Sequence, residues 1–162
     1  MSMFENDQYR WRETYFVFFD AAARPTLKAV EKLVAALNGR FDIINSVADE
    51  AGRFESLTVV SPDDFAAMDV CYLQGEEVLE QGVVLAEELQ SVGCQPDDRE
   101  TAQRILQCTG RFDVLHFEQV VDSQDGDDPD EMLDPSALLV ILEALEKLVG
   151  GVAIDPQGGT MI

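Results

Sequence analysis

Tyr15-Phe16-Val17-Phe18-Phe19 is apolar at all five positions and stops at Asp20, and no other segment narrows the folding options of this chain as much. The run is too short for a helix, and a strand without a polar position reads as buried, so it supplies much of the core. Apolar residues then change period. After an alanine-rich turn and Pro25, residues Leu27, Val30, Leu33, Val34 and Leu37 recur at helical spacing, with Pro25 suited to the first turn and Asn38-Gly39 to the C-terminal cap. Phe41 to Ala48 and Phe54 to Ser61 are β-type runs joined by Asp49-Glu50-Ala51-Gly52, which predicts a hairpin.

Between Ser61 and Leu89 two readings compete: one long helix capped at Ser61-Pro62-Asp63-Asp64, or a strand over Ala66 to Gln74 followed by a helix from near Gly75. The strand is preferred, because Met68, Val70 and Tyr72 alternate onto one face. Val78, Leu79, Gly82, Leu85, Ala86 and Leu89 form a helical stripe in either case, with Gly82 allowing a neighbouring backbone to approach. Asp97 and Glu100 make a capping-box pattern ahead of Ala102, Ile105, Leu106 and Thr109, predicting a third helix that ends at Gly110. Phe112 to Val121 is apolar on both faces near its middle, as in an interior strand. Asp134-Pro135 opens a helix with Leu138, Ile141, Leu142, Leu145, Leu148 and Val149 inward; Val152-Ala153-Ile154 follows as a strand, and Pro156 to Gly159 suggests a last short hairpin.

This order predicts one α+β domain over residues 1–162: a mixed sheet with helices packed mainly on one face, ferredoxin-like in character with extra elements. Residues 1–13 read as a polar N-terminal arm and 122–134 as an acidic loop. Gly39-Arg40-Phe41-Asp42 and Gly110-Arg111-Phe112-Asp113 echo one another where a helix passes into a strand. Shared junction chemistry is the simpler explanation, and duplication of an α–β unit the alternative.

Charge sets the functional limits. The chain of 162 residues is 46% hydrophobic, which supports a folded core, yet it carries 11 basic against 32 acidic side chains, a formal charge of −21. Nucleic-acid and anionic-membrane binding are disfavoured because both depend on clustered Lys and Arg. The opening residues lack a signal-peptide pattern, no apolar run approaches the roughly 20 residues of a membrane helix, and Cys71, Cys94 and Cys108 are odd in number without close spacing. A reducing cytoplasm is therefore expected.

Motifs for chemistry are sparse. No phosphate-binding glycine loop occurs, and Gly150-Gly151 and Gly158-Gly159 read as a helix stop and a turn. An EF-hand centred on Gly126 would begin at Val121 and end at Met132, neither a carboxylate, so the acidic loop reads as solvated. His116 is the single imidazole and lies mid-strand, where packing is a commoner role than catalysis. The cysteines read as inert packing residues. No catalytic residue, cofactor or metal ligand is nominated.

Basic residues offer an interaction surface instead. Trp11 stands between Arg10 and Arg12, a hot-spot composition, and Arg24, Lys28 and Lys32 recur every four residues. The expectation is a non-enzymatic protein-interaction module, with a protein partner or a second copy in a homodimer, joined through basic Trp11, Arg10, Arg12, Arg24, Lys28 and Lys32 against acidic surface. A variant has the acidic surface bind a basic partner in the manner of a nucleic-acid mimic. The alternative is a small-molecule or divalent-cation binding domain, or a weak hydrolase, built on His116 and nearby carboxylates.

Overall fold

The structure is a computed structural model and describes residues 9–37, 40–61, 66–92, 96–119, 136–155 and 160–161. Strands β1 (Tyr9–Phe19), β2 (Asp42–Ala48), β3 (Phe54–Ser61), β4 (Ala66–Gln74), β5 (Gly110–Gln119), β6 (Val152–Asp155) and β7 (Thr160–Met161) form one sheet in the order β2-β3-β4-β5-β1-β6-β7. The helices are α1 (Leu27–Leu37), α2 (Glu76–Val92), α3 (Pro96–Gln107) and α4 (Ser136–Val149). The α+β class is as expected, and residues 66–74 are a strand.

Every pairing among the described strands is antiparallel, where a mixed sheet was expected. The connections explain this. Helices α1 and α4 each return the chain to a strand parallel to the one it left, but other strands lie between, so no parallel neighbours result. These split crossovers are as far as the ferredoxin-like expectation reaches, since the sheet has a different strand number and order.

Helices lie on both faces rather than mainly on one. On β1, Val17 and Phe19 join a core with Val30 and Val34 of α1 and Leu138, Ile141, Leu142 and Leu145 of α4. Phe18, pointing the other way, joins Val78, Leu85 and Ala86 of α2, Ala102 and Ile105 of α3, and Val152 and Ile154 of β6. An all-apolar strand needs cover on both sides, which two helix pairs supply. Phe112 anchors the α1–α4 side, its ring 4.7 Å from Phe19 and perpendicular to Phe54 at 5.5 Å. Burial of such rings dominates core energetics.

Three residues assigned inward face solvent instead: Leu79 on α2, Leu106 on α3 and Leu148 on α4. Each helix buries a narrower stripe than its apolar content suggests. The polar arm expected over residues 1–13 is already strand from Tyr9, paired with β5 through Tyr9↔Gln119 and Arg10↔Glu118. The acidic loop at 122–134, Cys94, the Asn38-Gly39 cap and the turn at 156–159 lie outside the described residues. The two Gly-Arg-Phe-Asp copies sit in unlike places, since Asp42 opens the edge strand β2 and Gly110 opens interior β5.

Candidate functional site

The proposed basic surface is divided by the fold. Arg10 lies nine residues before Phe19 on β1, about 30 Å along an extended strand, whereas Arg24 follows Phe19 closely. The two groups therefore sit at opposite ends of the sheet. Arg10 ion-pairs with Glu118, which is almost fully buried, and Arg12 lies 3.5 Å from the same carboxylate. A register shift between Trp11 and Glu13 places both arginines beside it. Trp11 is exposed, and its indole N–H donates to the Thr14 hydroxyl at 3.0 Å.

Arg24 is structural. Its Nε donates to the Phe54 carbonyl at 2.9 Å, its guanidinium lies 4.1 Å from the Tyr72 ring centre, and Asp49 is 3.6 Å away. Asp49 also accepts from the Arg53 backbone and side chain, and these bonds hold its carboxyl below the usual range. Of the α1 stripe only Lys28 and Lys32 remain as exposed cations.

His116 is fully buried on the α1–α4 side of the sheet, directly across from Glu13, with Nδ1 3.4 Å from its carboxylate. Its Nε2 is buried without a hydrogen-bond partner. Burial lowers the imidazole below its ordinary value, with Glu13 pulling upward. Burial also raises the Tyr15 hydroxyl, as does its hydrogen bond to Glu13, so both neighbours of Glu13 are neutral at pH 7. Among the described residues no three His, Cys, Asp or Glu side chains converge as a metal ion would require. On the opposite face Arg111 is buried over the Phe16 ring at 4.1 Å, with Nε donating to Asp113 at 2.6 Å. Burial raises Asp113, while Arg111 opposes the shift.

A different feature gathers on the outer side of α1 and α4. A groove of about 480 Å³ runs between them, lined by Leu33, Leu37, Val140, Ala144 and Leu148, with Glu143 and Lys147 at its rim. Val140 is 40% and Leu148 38% exposed, and Lys147 Nζ donates to Glu143 at 2.9 Å. No family model, curated protein or solved structure matches the chain. The groove's chemistry must therefore be read from its own residues. All three lysines of the sequence, Lys28, Lys32 and Lys147, lie on α1 and α4, where they meet three glutamates, Glu31, Glu143 and Glu146. This helix pair is neutral in a chain of net charge −21.

The groove escaped the sequence reading, although a signal was present. Ala137 to Leu142 is apolar at six consecutive positions, more than a one-sided helix can bury. The internal commitment of Arg10, Arg12 and Arg24 had no such signal, because their carboxylate and carbonyl partners come from distant strands.

Proposed function

We propose that the protein is a protein-interaction module that self-associates through the α1–α4 groove, with a second copy of the chain as the occupant. The observation that carries this reading is an exposed apolar groove coinciding with a neutral helix pair on an otherwise strongly acidic chain. Two copies of net charge −21 repel, so they meet at least cost where local charge cancels. The patch is also self-complementary. In a two-fold contact with antiparallel α4 helices, Val140 of one copy faces Leu148 of the other, and Glu143 comes near Lys147 across the axis. This moves the contact away from Trp11, Arg10, Arg12 and Arg24, and from the sequence expectation it keeps only the helix that carries Lys28 and Lys32, neither of which lines the groove.

Sedimentation velocity over a concentration series tests the reading. The native chain is expected to shift from monomer to dimer as concentration rises, and Leu148→Glu to remain monomeric at the same concentrations. A native chain that is monomeric throughout, or a dimer that Leu148→Glu leaves intact, would overturn it.

A further inference from the structure

Helix α2 carries apolar residues on two faces, and the core covers only one of them. Val78, Leu85 and Ala86 point inward, and Gly82 lets α3 come close, an added Cβ there being 3.4 Å from Ile105. The outer residues Glu76, Leu79, Glu80, Val83, Val84 and Glu87 follow the spacing i, i+3, i+4, i+7, i+8 and i+11, which places them on one continuous helical face. Three of these six are large and apolar, and each is at least 45% exposed. Because Ile105 packs at Gly82, the exposed Leu106 that follows it on α3 stands level with Leu79 and Val83.

The charge of this face has one sign. Helix α2 holds five glutamates and no Lys or Arg. Among the described residues no ion pair engages Glu76, Glu80 or Glu87. On α3, Arg104 is turned toward the end of α4, where it donates to the carbonyls of Gly150 and Gly151 at 3.2 and 3.5 Å. Arg99 lies about 10 Å along the helix from Leu106. A second α2 face would meet this one with like charge, as would an anionic lipid or nucleic-acid surface. The occupant must therefore bring both apolar side chains and positive charge.

We propose that the outer face of α2, with Leu106 of α3, docks a basic amphipathic helix of a partner protein. Apolar side chains of that helix seat on Leu79, Val83 and Val84, and its flanking Lys or Arg residues pair with Glu76, Glu80 and Glu87. A helix is the fitting element because side chains at these spacings form ridges that pack into the grooves of another helix. Carboxylates beside the apolar stripe also turn away acidic helices, so partner choice is set by flanking charge, as in coiled coils. This proposal is independent of the groove, which lies across the sheet on a neutral helix pair.

The probe is a synthetic amphipathic helix of leucine and lysine, titrated into isotopically labelled protein and followed by amide chemical shifts. A peptide of the same pattern in leucine and glutamate, and a lysine homopolymer of the same length, are the controls. The expected result is saturable movement of the Leu79, Val83 and Val84 amides with the leucine-lysine helix, weakening as salt rises, no movement with the leucine-glutamate helix, and only diffuse, unsaturated movement with polylysine. Leu79→Ser combined with Val83→Ser, both at exposed positions that leave the core intact, should weaken binding by about tenfold or more. Glu80→Gln combined with Glu87→Gln should weaken it by about three- to tenfold. Saturable movement confined to α1 and α4, equal binding of the leucine-glutamate helix, or unchanged affinity in the double serine variant would overturn the proposal. Movement of the same amides when the protein alone is concentrated would also overturn it, by assigning the face to a second copy.

Discussion

The two helix pairs bury the two faces of one strand, yet they present opposite surfaces to solvent. Both leave large apolar residues outside: Leu139, Val140 and Leu148 on α4, against Leu79, Val83, Val84 and Leu106 on α2 and α3. Their charges differ. Helices α1 and α4 balance three lysines against three glutamates, whereas α2 and α3 carry eight acidic residues against two arginines. Exposed apolar area alone does not mark a self-contact surface on so acidic a chain, because two α2–α3 faces brought together would repel across a low-dielectric gap. The α1–α4 pair combines an apolar groove with neutrality.

Differences in core depth give the largest expected effects. Phe112→Ala should cost about 3–5 kcal/mol in urea unfolding, because it empties the centre of the Phe19, Phe54 and Tyr72 ring cluster. Ile105→Ala, in the smaller core under α2 and α3, should cost less, about 2–3 kcal/mol, within the usual range for such deletions. Equal costs would break the view that the α1–α4 side holds the principal core.

Two glycines sharpen the contrast at intermediate size. A Cβ on Gly151, just after α4, would clash with the Phe18 carbonyl oxygen, so Gly151→Ala should destabilise by about 1–3 kcal/mol. On α2, a Cβ on Gly82 would meet Ile105 at 3.4 Å, an ordinary contact. Gly82→Ala should thus be neutral or stabilising by up to about 1 kcal/mol through helix propensity. Thermal unfolding of the two variants checks both, and a reversed order would contradict the packing described.

The pH effect is smaller and belongs to the α1–α4 side of the sheet. His116 is held below its ordinary value near 6.5, first by burial. As pH falls through 6.5 the unfolded chain takes up a proton that the folded chain refuses, so stability falls below that point and is fully present above it. His116→Gln should flatten the dependence of Tm on pH across this window. A slope unchanged in the variant would assign the effect to other groups.

Salt gives the smallest effect. If the dimer forms at a neutral patch against overall repulsion, added salt should strengthen it modestly by screening the net charge. Weakening by salt would favour joined basic and acidic patches instead.

Much of the fold was legible in the sequence, because short apolar runs and helical stripes carry their period locally: α1, the β2–β3 hairpin, β4, α2, α3, β5, α4 and β6 all fall where spacing places them. Sheet order and the two-sided helix arrangement were not, since they depend on which strand each helix crosses rather than on local pattern. The site was less legible still. Arg10, Arg12 and Arg24 look like surface cations until Glu118, Asp49 and the Phe54 carbonyl come into reach.

Cross-linking at the centre of the groove tests the self-association most directly. Ala144 lies in the groove midway between Val140 and Leu148, so an antiparallel two-fold contact brings its counterpart in the second copy opposite it. Ala144→Cys should form an intermolecular disulfide under mild oxidation, whereas Leu79→Cys, on the exposed and acidic α2 surface, should not exceed the background of the native cysteines. No enrichment at position 144, or equal cross-linking from position 79, would contradict the account.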